Sequence, residues 1–454
     1  MGRTDRARAE RLKERYIERF GELQAGRQVQ GPMQTLATSA AEQFASLGFP
    51  GPKDEAWKHL DPLAHFEAER SLVQQGVVQL EREDIFRCDI PRLDAHEVCF
   101  DNGLIHMGNG QRLRELPCGA IVGSLAEAQV RHPELVSRYL SMGGSTLPDG
   151  VAALAQMFAT DGLFVYVPKG AVVDKPIQVV AVTTGDQALL MGKHSLIVLE
   201  EGAEAQMAVS VNAAAPSSFL VNDLMHVHLG PSARLELELL QNVHDLVTMF
   251  LHSFAYLKRN ARLVFNTIAL HGGMIRNSCY LRLEEEGVEA MVNGLSMVHG
   301  AQHIDAYTQV DHLAPACSSS QLFKNVVDEQ GATSFFGTIN VHPDAQGTQA
   351  FQRNANILLS DEATAHTRPQ LIIHADDVKC SHGATIGQLD EEARFYLQSR
   401  GIPPAEVNRL LMLAFAGDIV RTIGIPQLRE QVEALVEKRV RGEHDACFLG
   451  IPED

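Results

Sequence analysis

The stretch Met225-His226-Val227-His228-Leu229-Gly230-Pro231-Ser232-Ala233-Arg234-Leu235-Glu236-Leu237-Glu238-Leu239 decides the fold. It reads as strand, corner, strand, with no helix between. Working outward, strand-like runs recur at 163–167, 177–182, 196–199, 263–268 and 280–283. Small-residue corners punctuate them: Gly170-Ala171, Gly202-Ala203, Ser232-Ala233, Asn260-Ala261, Gly331-Ala332, Asp344-Ala345 and Gly383-Ala384, with Gly287-Val288 as a variant. From 171 through 203, 233, 261 and 288 the intervals run between 27 and 32 residues, and later ones are less even. One such coil cannot bury its inner face alone, and the next coil stacked on it can. The pattern therefore predicts a mainly β chain built round a β-solenoid. A β-sandwich would show hairpin signals and turns every 8–12 residues or so. Those signals are sparse here.

The flanks have helical texture. Over 4–24, Leu12, Tyr16, Ile17, Phe20 and Leu23 fall at helical spacing, with Thr4 or Asp5 as cap and Gly26 as stop. A second helix is expected over 33–47, ended by the breaker Gly48-Phe49-Pro50-Gly51-Pro52. Trp57, the only tryptophan, is expected to anchor the core. Asn102-Gly103 predicts a tight hairpin within 98–105. After 389, Asp390-Glu391-Glu392 opens an amphipathic helix that Gly401 closes; further helices start near 404 and at Pro426, and the tail from 442 is expected to be loose. The expected domains are thus 1–155, mainly helical; 156–388, the solenoid; and 389–454, helical.

The 454 residues carry 39 basic against 57 acidic side chains, a net charge of −18. That balance argues against binding nucleic acid or an anionic membrane surface. The seven cysteines (Cys88, Cys99, Cys118, Cys279, Cys317, Cys380, Cys447) are scattered, with no C-x-x-C. Neither a disulfide framework nor a zinc knuckle fits them. The opening Met1-Gly2-Arg3-Thr4-Asp5-Arg6-Ala7-Arg8 lacks the apolar run of a signal peptide, and no 18-residue apolar run follows, so a cytoplasmic location is expected.

The chemistry concentrates in Ala375-Asp376-Asp377-Val378-Lys379-Cys380-Ser381-His382-Gly383-Ala384-Thr385. On a strand, residues i and i+2 share a face, so the Cys380 thiol and the His382 imidazole stand side by side, roughly 6.5 Å apart. The pair is metal-competent but incomplete, since clusters usually take three or four ligands. A second chain completing the set at a sheet edge would resolve this. His226 and His228 also share a strand face, but without a third ligand they read as ordinary ladder or surface residues. No phosphate-binding Gly-x-x-x-x-Gly-Lys-Ser/Thr loop occurs, and His271-Gly272-Gly273 has no Gly-x-Ser-x-Gly elbow to make an esterase. A β-helix polysaccharide lyase or hydrolase is the alternative enzyme class. It needs paired carboxylates, for which only Asp305 and Asp311 stand out.

The 375–385 string, with Gly387-Gln388-Leu389-Asp390 and Tyr396-Leu397-Gln398-Ser399-Arg400-Gly401-Ile402, closely resembles the signature of the SufD family, scaffold subunits of the SUF iron–sulfur cluster assembly system. Lys324-Asn325-Val326-Val327, Phe336-Gly337-Thr338-Ile339-Asn340-Val341, Gln349-Ala350-Phe351-Gln352, Thr160-Asp161-Gly162-Leu163-Phe164-Val165 and Glu55-Ala56-Trp57-Lys58 resemble it too. The sister SufB family shares the architecture but is expected to lack the Cys-Ser-His-Gly-Ala-Thr string; a SufB-like homodimeric scaffold is the nearer alternative. The resemblance implies a right-handed parallel β-helix (β-solenoid) core flanked by helical domains, and a non-catalytic role. It implies a heterodimer with SufB through the β-helix, self-association when isolated, and docking of SufC, an ABC-type ATPase, on the C-terminal helices. ATP then acts only through SufC, and the cargo is iron or a nascent iron–sulfur cluster, held transiently. By position, His382, and after it Cys380, match the residues expected to handle that cargo at the SufB interface.

Overall fold

Each repeat places one strand in each of two parallel sheets. The structure is a computed structural model that describes residues 3–25, 31–73, 93–107, 110–142, 146–213 and 217–443. In the first sheet, Leu163–Val167, His194–Leu199, Phe219–Leu229, Thr248–Leu257, Met274–Leu283, His303–His312, Ala332–Val341 and Thr364–Ile373 stack in order. In the second, Ile177–Thr183, Glu204–Ala213, Arg234–Asn242, Arg262–His271, Glu289–Val298, Ser318–Val327, Thr348–Leu358 and Val378–Gly387 do the same. The chain alternates between sheets, so every neighbouring pair is parallel and one coil apart. Thr248 lies beside Met274, and Ala332 beside Thr364. This is the parallel β-solenoid the repeats predict.

The corner leading into the second sheet shows why the sequence repeats. Gly170, Gly202, Ser232, Asn260, Gly287, Ala316 and Gly347 all hold positive φ, between 55° and 73°. Each donates its N–H to the next coil's corner, as in Gly202 to Pro231 O at 2.8 Å and Ser232 to Arg259 O at 2.7 Å. The ladder therefore continues round the bend, and glycine or asparagine is favoured where the backbone is left-handed. The following residue (Ala203, Ala233, Ala261, Val288, Cys317, Thr348) is buried at the bend. Two expected corners are corrected. Gly383-Ala384 lies inside the strand Val378–Gly387, and in the widened bend after Val341 the left-handed residue is Gly347 rather than Asp344 or Ala345. The uneven later intervals come from these two placements and from Gly331-Ala332, which lies at the opposite bend where the chain enters the first-sheet strand Ala332–Val341; the left-handed residues themselves recur every 27 to 32 positions.

Helices clad the outer faces. Helices α1 (Arg3–Ala25), α2 (Pro32–Leu47), α3 (Pro62–Phe66), α4 (Leu125–Arg131), α5 (Pro133–Met142) and α6 (Gly150–Phe158) precede the main run of strands. Tyr16, Phe44, Phe66 and Phe158 from this set pack on Leu220, Leu224, Phe250 and Phe254 of the first sheet. Helices α7 (Glu391–Ser399), α8 (Pro404–Val420) and α9 (Pro426–Val440) follow the last strand. Ile419, Val420, Leu428, Val432 and Val436 pack on Leu240, Ile268, Leu295 and Met297 of the second sheet. Lys324 ties α8 down through Asp418 at 2.6 Å. The expected stop at Gly26, two cysteines (Cys88, Cys447) and most of the expected loose tail lie outside the described residues.

The two ends of the solenoid differ. At the first end, Ile121–Ser124 pairs antiparallel with Leu163–Val167, and His96–Asp101 turns through Asn102 and Gly103 into Leu104–His106, the expected hairpin. The short antiparallel strands Leu113–Glu115 and Leu104–His106 are the edges of the two sheets at this end. At the other end, among the described residues, Thr364–Ile373 and Val378–Gly387 are edge strands with nothing beyond them.

Trp57 locks the helices to the first sheet. Its Nε1 donates to Asp149 Oδ2 at 3.1 Å, while Asp149 also caps α6. The Arg276 guanidinium, 1% exposed, lies 3.9 Å from the Trp57 ring and pairs with Asp305. A buried cation held between an aromatic face and a carboxylate keeps its charge compensated. Trp57→Ala is expected to lower unfolding stability by about 3–5 kcal/mol, measured by urea denaturation.

His226 and His228 are buried ladder residues rather than surface groups. His226 Nδ1 lies 2.8 Å from His194 Nε2, His228 stacks on Tyr256 at 4.9 Å, and all three rings are buried. Burial alone holds His194 down to about 4, and burial first of all does the same to His252. An unfolded ring takes its proton near 6.5, as free histidine does roughly. Between those values the unfolded chain binds more protons, so stability falls as pH drops. The loss is about 1.4 kcal/mol per pH unit for each such ring. Urea midpoints should decline between pH 6.5 and pH 4.5; a flat profile would contradict the assignment.

Candidate functional site

Cys380 and His382 sit on Val378–Gly387, the last strand of the second sheet. That strand pairs with Thr348–Leu358, placing Cys380 beside Ala350 and His382 beside Gln352. Ala350 and Gln352 are buried, while the alternating Phe351 and Arg353 are exposed. The thiol and the imidazole therefore line the inward face of the solenoid, on the rung where the ladder stops. Cys380 is half-buried against Val341, Ala345 and Ala375; His382 is exposed. Burial pushes the Cys380 thiol up, and the Ala350 backbone N–H pulls the other way. The thiol form therefore dominates at neutral pH, and binding a metal would release a proton.

The expected pair is thus brought together, at a site a second chain can reach. His374 does not join it, lying exposed in the turn between the last two strands. His312 faces inward, with Nε2 2.8 Å from Ser319 Oγ. Among the described residues there is no group of three or more histidine, cysteine or acidic side chains placed to hold a metal. The donor set fits a soft or borderline metal in kind but, among the described residues, not in number.

Two features here escaped the sequence reading. The interior of the last coils is polar: Thr308 Oγ1 donates to Gln321 Oε1 at 2.7 Å, and Gln352 Nε2 donates to the same oxygen at 3.2 Å. Inward and outward polar residues look alike in a sequence unless the register is known. The second feature is a cleft of about 390 Å³ at the same open end, lined by Lys58, His59, Ser334, His366, Arg368 and Ile386. The His59 and His366 rings stack at 3.9 Å, and Arg368 pairs with Glu55. Burial pulls both imidazoles below their ordinary range, with Lys58 adding to the effect on each. The adjacency of Lys58 and His59 to Trp57 was the only available signal.

The carboxylates a polysaccharide enzyme would need are otherwise engaged. Asp305 is buried against Arg276, and Asp311 accepts from Gln309 and Asn340.

The chain is thus a parallel β-solenoid whose open terminal rung bears one thiol and one imidazole. Comparison with known proteins assigns its family. Residues 181–415 match the family described as "SUF system FeS cluster assembly, SufBD core domain", and residues 10–179 match "SufBD protein N-terminal region". The chain belongs to the SufBD family of iron–sulfur cluster assembly proteins and is SufD-like. It is 31% identical to the iron–sulfur cluster assembly protein SufD of Escherichia coli K12 over 310 residues, covering 65% of this chain and 72% of that one. It is 24% identical to SufD of Bacillus subtilis 168 over 441 residues, covering 94% and 97%. A SufBD family protein of Synechocystis is 28% identical over 416 residues, covering 88% and 89%. No helix among the described residues is long and apolar enough to cross a membrane.

Accessibility orders the cysteines. Cys380 should react with a maleimide well before Cys279 and Cys317, which are buried. Its rate should still climb between pH 8 and pH 9.5, because the raised thiol is scarcely ionised below that range. Mass spectrometry of timed samples reads both, and a rate already level at pH 8 would contradict the raised value.

Proposed function

We propose that this chain is the non-catalytic SufD subunit of a cytoplasmic SUF complex, pairing with a SufB subunit across the open end of its solenoid and with the ATPase SufC through its C-terminal helices. The observation that carries this reading is the exposed terminal rung holding Cys380 and His382 on one face. Edge strands with unpaired backbone groups invite another strand to extend the sheet. A β-solenoid partner would do so in register and bring the missing ligands. Helix α7 supports the second contact: it buries none of its residues, and Phe395 and Tyr396 are 75% and 57% exposed. Aromatic residues of that kind commonly anchor interfaces.

In this reading the cargo is iron or a nascent cluster. The imidazole of His382 and the thiolate of Cys380 hold it transiently, and SufB supplies sulfur. ATP-driven closure of SufC pulls on α7–α9, strains the β-solenoid contact and opens the seam to cargo. Because the thiol must lose its proton, capture strengthens as pH rises. His382 ranks ahead of Cys380, whose thiol must give up its proton before it can ligate.

His382→Ala is expected to cut cluster supply in cells severalfold while the complex still assembles. The assay is activity of an iron–sulfur reporter enzyme in cells that rely on this system alone, with co-purification of SufB and SufC as the control. Unchanged reporter activity with an intact complex would contradict the role of His382.

A further inference from the structure

Gln352 stands one rung below His382 on the same inward face, about 4.8 Å away across the ladder. Its Nε2 donates to Gln321 Oε1 at 3.2 Å, which turns its own Oε1 away from Gln321. That oxygen is buried and unpartnered. A buried acceptor left empty is unfavourable, and native proteins keep few of them. Room has been left for this amide: a Cβ on Gly337, on the facing strand Ala332–Val341, would come within 2.2 Å of Gln352 Nε2. The amide is therefore held from both sides, with its acceptor unused next to the edge strand. The His382 ring is exposed and makes no side-chain hydrogen bond among the described residues, so it is free to turn toward that oxygen.

We propose that Gln352 is a positioning residue for His382, its Oε1 accepting the ring N–H so that the imidazole adopts one tautomer and offers its other nitrogen to iron. The proposal rests on the reading of His382 as an iron-handling group. Metal-binding histidines nearly always donate their second N–H to a fixed acceptor, and that acceptor sets the tautomer and the ring orientation. The network Thr308–Gln321–Gln352 supplies such an acceptor from the solenoid interior, where a second chain cannot displace it.

The test uses the full chain labelled with 15N in the histidine rings. Two-bond proton–nitrogen correlation spectra report each tautomer, and His382→Ala assigns the signal. The native chain should show His382 as a single tautomer. Gln352→Met, equal in length and lacking the oxygen, should return the mixture of free imidazole, and Gln352→Glu should restore the single form. Gln352→Asn, which withdraws the oxygen by one methylene, gives the same reading if the methionine variant does not fold. In the complex assembled with its partners, cobalt(II) followed by visible absorption should bind about tenfold more weakly to Gln352→Met. An unchanged His382 signal in folded Gln352→Met overturns the positioning role. Cobalt uptake that survives His382→Ala overturns the underlying reading of His382 instead, so the two failures are separable.

Discussion

A parallel ladder cannot close on itself, and the rest of this structure answers that constraint. Each rung satisfies the one before it through backbone hydrogen bonds that continue round the left-handed corners from Gly170 to Gly347. The last rung has no successor among the described residues. At the first end antiparallel strands extend the sheets, and the short Leu113–Glu115 and Leu104–His106 are the edges there. At the other end the chain leaves Thr364–Ile373 and Val378–Gly387 open. Exposed edges of this kind are a hazard that proteins usually blunt. One left bare and carrying a thiol and an imidazole is best understood as a surface awaiting a partner.

The layers make the open edge usable. Helices on both outer faces fix the solenoid, so the terminal rung is presented by a rigid body. Trp57, Asp149, Arg276 and Asp305 form the joint on one side, and Lys324 with Asp418 ties down the other. The segment 55–60, which contains Trp57, also reaches the last strand of the first sheet through His59–His366 and Glu55–Arg368. The anchor that holds the helices thus also shapes the wall beside the seam. The buried histidines His194, His226, His228 and His252 belong to the packing of the first sheet.

Much of the fold was legible because corner chemistry is local. A left-handed residue followed by a small buried one, as at Gly202-Ala203 or Asn260-Ala261, can be read without any partner. Where the left-handed residue is Ala316, or the bend lengthens before Gly347, the local signal fades and the period is lost. Gly383-Ala384 imitates a corner in mid-strand because an edge strand at the terminal rung has no larger side chains to pack there. At the site, Cys380 and His382 were legible through the two-residue period of a strand. Gln321, Gln352 and Thr308 were not, because an inward polar residue in a solenoid is revealed only by register. His59 and His366 lie too far apart in sequence for any local pattern to join them.

Hydrogen exchange along Val378–Gly387, in the isolated chain and in the complex with its SufB partner, tests the central claim most directly. Half the amides of an edge strand point outward and should exchange rapidly when the chain is alone. The account predicts strong protection of those amides once the partner is bound, spreading to Thr364–Ile373. A stable complex in which both strands exchange as fast as before would contradict it.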